Sequence, residues 1–336
     1  MSEAFGFREF GGPQVQEFFD RPDPVPEPGE VLIRVTAAGV NPLDYVLRSG
    51  YLPGFYGGRP FPHVLGAEVS GVVLAAGAEA EGLEVGDTVF GIALNGAGAY
   101  ARTTVLPGAS TARKPEGLRD DWAATIPVAG TTALDALDQL DLPSGATVLI
   151  NGVGGGVGIM TAQVARDRGL NVIGTGSTGK RALAEAAGVT FVDYTGGDVV
   201  PRVRDLASHG VDGLVDLVGG ESLRTVAPLA GDPKKLVSVG DQTVAELGGE
   251  MVRRHLGRAD LERAAALFAQ GRLDPRITKS YPLAQAAEAL AVVENGHALG
   301  KVVIDMTLTS PTASGNRARP NAAIASGASA GVLARH

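Results

Sequence analysis

The chain of 336 residues contains no cysteine. Disulfides, thiolate nucleophiles and thiolate-bound zinc are therefore excluded. No apolar run approaches the ~18 residues that a membrane-spanning helix needs. The opening residues, Met1-Ser2-Glu3-Ala4-Phe5, lack the basic and apolar regions of a secretory signal. A cytoplasmic location is the default expectation. Positive charge is in deficit: 29 Lys and Arg face 37 Asp and Glu, a formal net charge of −8. That balance argues against a phosphate backbone as partner, so neither nucleic acid nor membrane is expected. The five histidines, His63, His209, His255, His297 and His336, form no H-x-x-x-H or similar ligand spacing. No metal site is expected.

What is present follows two rhythms. Up to about residue 118 the chain carries short β-rich runs broken by Pro and Gly, at 30–35, 69–73, 88–92 and 99–105. No long helix is expected there before Asp120. From residue 146, strand-like runs at 146–151, 171–175, 211–215 and 235–239 alternate with helical stretches at 157–168, 180–188 and 222–229. Such alternation implies βαβ units and an α/β fold with a doubly wound parallel sheet. Helices at 261–270 and 283–295 and strands at 277–281 and 301–305 complete the folded part. Residues 307–336 hold no acid and no aromatic. They are expected to be a disordered tail, because such a composition cannot offset its ordering entropy.

The segment Asn151-Gly152-Val153-Gly154-Gly155-Gly156-Val157-Gly158 follows a strand and opens a helix. Glycines there permit a tight turn, a close approach of backbone to pyrophosphate, and tight helix–strand packing. Gly152, Gly155 and Gly158 fall at i, i+3 and i+6, a departure from G-x-G-x-x-G. Gly152, Gly154, Gly155, Gly156, Val157 and Gly158 are the expected cofactor cradle. The end of the second strand selects the dinucleotide. An NAD site carries an acid there, whereas this chain reads Gly174-Thr175-Gly176-Ser177-Thr178-Gly179-Lys180. Hydroxyls and a cation suit a 2′-phosphate, so Ser177 and Lys180 point to NADPH.

The glycine turn resembles the A-A-x-G-G-V-G turn of quinone oxidoreductases. Ala38-Gly39-Val40-Asn41-Pro42-Leu43-Asp44 resembles their A-x-x-N-P-x-D segment, and Leu65 to Val73 their G-x-E-x-x-G-x-V segment. Val85-Gly86-Asp87-Thr88-Val89, Gly98-Ala99-Tyr100-Ala101, residues 123–133 and Gly300-Lys301-Val302-Val303 follow in the same order. Over residues 5–306 the chain thus resembles the zinc-free quinone oxidoreductase branch of the medium-chain dehydrogenase/reductase superfamily. The resemblance implies a β-rich GroES-like catalytic domain, 1–118 completed by 266–306, and an NADPH-binding Rossmann domain, 119–265. It further implies a homodimer in which the cofactor domains extend one sheet. Tyr194 resembles a tyrosine that approaches the 2′-phosphate. Thr132, Ser238 and Lys301 are implied cofactor contacts, although Lys301 on an edge strand could equally be a solvated charge.

Zinc-dependent relatives have cysteine at the place of Asn41 and Gly-His-Glu at the place of Gly66-Ala67-Glu68. Both zinc ligands are replaced in this sequence. Without a Lewis acid, hydride must go to an acceptor that is already electrophilic, a quinone or an α,β-unsaturated carbonyl. Asn41 either donates to the developing enolate or holds the loop before Pro42. Tyr51 resembles a tyrosine of enone and enoyl-thioester reductases but lies one residue nearer its glycine, which favours packing at the cleft edge. The expected function is metal-free, NADPH-dependent reduction of a quinone or enone. The alternatives are an enoyl-thioester reductase and a non-catalytic NADPH-binding sensor or structural protein.

Overall fold

The structure is a computed structural model that describes residues 1–56, 58–80, 82–93 and 97–309. Most of the tail expected to be disordered therefore lies outside the described residues. The fold is α/β, a doubly wound parallel Rossmann sheet joined to a β-rich GroES-like domain.

The parallel sheet runs, from edge to edge, Thr190–Asp193, Asn171–Gly176, Thr147–Asn151, Gly213–Asp216, Leu236–Ser238, Glu250–Met251. Its central strand is apolar on both faces, as burial under helices on each side requires. Val148 and Ile150 join one core with Leu137, Met160, Val164, Leu261 and Phe268. Leu149, one step out of phase, joins the opposite core with Leu214, Leu223, Val226 and Leu236. Chain order reverses across Thr147–Asn151, with Asn151 opposite Thr175 on one side and Asp216 on the other. The carboxyl ends of these strands therefore face the crevice where dinucleotides bind in such sheets.

The larger β sheet runs Ile277–Tyr281, Lys301–Asp305, Glu30–Val40, Glu68–Ala76, Thr88–Ile92, Thr111–Arg113, with Thr103–Pro107 also paired to Glu30–Val40. Val302 lies opposite Val40 and Val303 opposite Gly39. The chain thus returns from the parallel-sheet region to add two strands to the first domain. Lys301–Asp305 has a partner on each side. The reading of Lys301 as a solvated edge-strand charge fails for that reason: its side chain is buried.

A helix at Pro42–Arg48 occupies a region where no long helix was expected. Seven residues are too few for periodicity to register. Its signals are local: Pro42 occupies the first turn, and the Asp44 carboxylate accepts the Asn41 N–H at 2.8 Å. Among the described residues no helix is long and apolar enough to cross a membrane.

The helix Gly156–Asp167 sits so close to the glycine turn before it that a Cβ on Gly158 would stand 2.6 Å from the carbonyl oxygens of Gly152 and Val153. Backbone cannot yield as a side chain can. Gly158→Ala is expected to lose about 1–3 kcal/mol of stability by overpacking. Urea unfolding measures the loss; an unchanged midpoint and slope would refute this account of the packing.

Candidate functional site

One wall of the site is the glycine turn. Gly152 takes φ +89°, and its N–H donates to the Thr175 hydroxyl at 3.2 Å. The Val153 N–H donates to the Thr175 carbonyl at 2.9 Å. A Cβ on Gly154 would strike the Lys180 stem, and one on Gly156 the Lys301 stem at 2.4 Å. Gly155, which precedes the helix, has nothing within 4 Å of its Cβ position. Bare backbone thus meets a 12-residue helix whose first N–H groups lack intrahelical acceptors. Val157, in the first turn, is half-buried. These residues fit a pyrophosphate without a side chain in the way.

At the end of the second strand, Ser177 precedes the short turn Thr178–Lys180. The Lys180 stem lies over Gly154, and its ammonium donates to the Ala298 carbonyl. Burial lowers its pKa. Tyr194 is 56% exposed. The residue before it, Asp193, was not singled out in the sequence. Hydrogen bonds from the Thr178 hydroxyl and the Thr195 hydroxyl and N–H hold its carboxyl down at about 2. Its charge is therefore spent on Thr178 and Thr195, in the turns that follow the two strands at one edge of the parallel sheet.

Two further expected contacts have inward-directed hydroxyls. Thr132 donates to the Val128 carbonyl. Ser238 donates to Asp216 at 2.7 Å and accepts the Asp241 N–H at 3.2 Å. Ser238 belongs to a buried polar network along the strand ends. In it Asn151 donates to Asp216 at 2.8 Å, and the Thr175 hydroxyl donates to Asn151 at 2.7 Å. Sequence reading missed Asp216; an acid closing an apolar strand, in Leu214-Val215-Asp216, was the available signal.

The opposite wall is a buried polar cluster. The Lys301 ammonium donates to Glu68 Oε1 at 2.6 Å, to Asn41 Oδ1 at 2.8 Å and to the Val40 carbonyl at 3.3 Å. Asn41 Nδ2 donates to Glu68 Oε1 at 2.8 Å. Because the ammonium can only donate and the carboxylate only accept, the orientation of the Asn41 amide is fixed. One Nδ2 hydrogen remains for another acceptor. Glu68 Oε2 accepts the Val128 N–H at 2.8 Å. Gly39 leaves room for this carboxylate, since a Cβ there would be 2.2 Å from Oε1. Asn41 and Lys301 are thus brought together, and the Lys301 stem at Gly156 joins them to the glycine turn. Tyr51 is not part of the cluster: it is 80% exposed.

Behind Asn41, Asp44 lines a small cavity together with Leu47, Tyr56, Leu65, Gly66 and Ala67. There is room for about one water molecule. Asp44 Oδ2 accepts the Tyr100 hydroxyl at 2.7 Å and the Asn41 N–H. Asp44 Oδ1 is buried and has no hydrogen-bond partner among the described residues. Burial pushes the Asp44 carboxyl up to about 7, against the lowering effect of those two donors. His63 stacks on Tyr56, centroids 3.9 Å apart, and burial lowers its pKa. That places His63 in packing.

Comparison with known proteins agrees with this geometry. Residues 27–116 match the alcohol dehydrogenase GroES-like domain family, and residues 187–304 the zinc-binding dehydrogenase family. The chain is 31% identical to the quinone oxidoreductase from Coxiella burnetii, covering 90% of this chain and 99% of that one, with TM-score 0.83. A mycobacterial protein solved in complex with NADPH is 30% identical, covering 91% of this chain and all of that one, with TM-score 0.80. A synaptic vesicle membrane protein VAT-1 homolog of Danio rerio is 30% identical over 84% of this chain, which spans 65% of that longer protein.

The cluster makes a sharp demand on Lys301. Lys301→Met keeps the stem and removes the ammonium, leaving Glu68 buried without a counter-charge. A loss of about 3–5 kcal/mol is expected. Denaturation of Lys301→Met beside the double variant Lys301→Met/Glu68→Gln checks the cause. The second change should restore part of the loss, and no recovery would point to packing instead.

Proposed function

The chain belongs to the quinone oxidoreductase branch of the medium-chain dehydrogenase/reductase superfamily, whose members are nicotinamide-dependent oxidoreductases, and we propose that it reduces a quinone or α,β-unsaturated carbonyl with NADPH and without zinc. The observation that carries this reading is the Lys301 ammonium held between Asn41 and Glu68 beside the glycine turn. Where zinc-dependent relatives place cysteine and histidine, this chain has Asn41 and Ala67. A neutral amide and a methyl, with a cation 2.8 Å from the amide oxygen, do not fit a divalent metal.

When bound, the dinucleotide supplies a hydride. The chain's part is to hold the dinucleotide on the 152–158 turn, place the acceptor against it and stabilise charge on the acceptor oxygen. The Asn41 amide hydrogen not given to Glu68 is the donor for that oxygen. Preference for NADPH is supported by the absence of an acid at Thr175-Gly176-Ser177 and by the NADPH complex of the mycobacterial neighbour. Lys180 would exchange the Ala298 carbonyl for the 2′-phosphate. A homodimer is supported by the two-residue strand Glu250–Met251, which leaves one end of the parallel sheet as an edge.

Lys180→Ala is expected to weaken NADPH binding roughly tenfold or more and to leave NADH binding nearly unchanged, since one charge-assisted contact is worth about 1.5–3 kcal/mol. Titration calorimetry with both cofactors measures this; equal affinities in the unaltered protein would overturn the NADPH assignment. Turnover of a panel of quinones, enones and enoyl thioesters, with metal analysis of the same sample, tests the reaction. Enoyl thioesters as sole substrates, or a stoichiometric metal whose removal abolishes turnover, would overturn it. Light scattering of the full chain is expected to give the mass of a dimer, and a monomer mass would refute that assembly.

A further inference from the structure

We propose that Asp44 is the proton relay of this site, passing its proton through one water held in the cavity it shares with Tyr56, Gly66 and Ala67. The proposal rests on the reductase reading given above and deepens it. Its basis is the uneven bonding of the carboxyl. Oδ2 accepts Tyr100 Oη at 2.7 Å and the Asn41 N–H at 2.8 Å, whereas Oδ1 is buried with no partner among the described residues. A buried polar atom left bare costs free energy unless it carries a proton to donate or meets a water. The cavity has room for one water, and Gly66 and Ala67 in its wall adjoin Glu68, which binds Lys301 and Asn41. The Asp44 carboxyl is itself one hydrogen bond from Asn41, whose N–H it accepts at 2.8 Å, and Asn41 carries the amide assigned to the acceptor oxygen.

The step balances. Hydride addition leaves the acceptor with an oxyanion. The Asp44 O–H bond breaks as its proton passes to the water, and the water gives one of its own protons to the oxyanion. Asp44 then regains a proton from solvent. Other groups face Asp44 from each neighbouring element: Tyr100 and Tyr56, with His63 stacked behind the latter, and the Lys301–Glu68 pair. Arg48, on the same helix, is bound to Glu294. With the Asp44 carboxyl at about 7, its acid form is present below that pH and lost above it.

Asp44→Asn is nearly isosteric. Its Oδ1 can accept both existing donors while the amide nitrogen replaces the bare oxygen. In the unaltered enzyme the rate of acceptor reduction should fall as pH rises through about 7. Asp44→Asn should be about 10²-fold slower near pH 6 and should lack that limb, with NADPH binding preserved. Tyr100→Phe removes a donor that holds the Asp44 pKa down, so its limb should move to higher pH. Carboxyl ¹³C NMR of the cofactor-free protein should find Asp44 titrating near 7, independently of turnover. A retained limb in Asp44→Asn, an unmoved limb in Tyr100→Phe, or titration in the ordinary carboxylate range overturns the relay. If no quinone or enone is reduced at all, the reductase reading falls and the relay with it; turnover with an unaltered limb overturns the relay alone.

Discussion

The ion pair between Lys301 and Glu68 is the constraint around which the cleft is arranged. Its side chains are almost completely out of contact with solvent, and the charged atoms lie 2.6 Å apart. Such a pair gains little net stability over apolar packing, because desolvation offsets attraction, but it tolerates few alternative arrangements. Lys301 comes from the strand that returns late in the chain, Glu68 from an early strand, and Asn41 from the end of the strand between them. Satisfying one ammonium therefore fixes the register of three strands. Gly39 must stay small for the Glu68 carboxylate and Gly156 for the Lys301 stem. The pair ties the β-rich domain to the mouth of the glycine turn.

A second tie runs in parallel. The Gly300 N–H donates to the Gly154 carbonyl at 3.2 Å, and Lys180 reaches the Ala298 carbonyl from across the same turn. The segment 298–301 therefore touches the cofactor cradle twice, once through backbone and once through a cation. A ligand phosphate that attracts Lys180 would compete with a carbonyl of this segment. On the proposed reading, cofactor binding and the seating of the returning strand would be coupled through that choice, because one ammonium cannot satisfy both at full strength.

Much of the fold was legible because its signals are periodic. The strand at Lys301–Asp305 and the strands at Thr88–Ile92 and Ile277–Tyr281 have the bounds that the sequence suggested. The helix Pro42–Arg48 was not legible as such, since it is one short capped segment. Lys301 shows the other limit. A lysine at the start of a strand reads as solvated until the topology places a strand on each side of it. The polar network of Asn151, Thr175, Asp216 and Ser238 was equally hidden. Its members are far apart in sequence and meet only because parallel strands align their carboxyl ends. Motif resemblance singled out the glycine turn, but the direction of each hydroxyl and the bonding of Asn41 are tertiary facts.

Two buried acids illustrate how the cleft divides its labour. Asp216, at the end of its strand, is surrounded by four donors: Asn151 Nδ2, the Ser238 hydroxyl and the N–H groups of Val218 and Gly219. Donors on both oxygens fix the carboxylate in place. Asp44 receives two donors on one oxygen and, among the described residues, none on the other, so burial dominates its protonation. One acid holds the ends of the parallel strands, and the other keeps a hydrogen-bonding position with no partner among the described residues. On the proposed reading, hydride and proton would reach the acceptor from separate sources, and a fixed carboxylate and a mainly buried, under-bonded one are the two kinds of environment such a division would use.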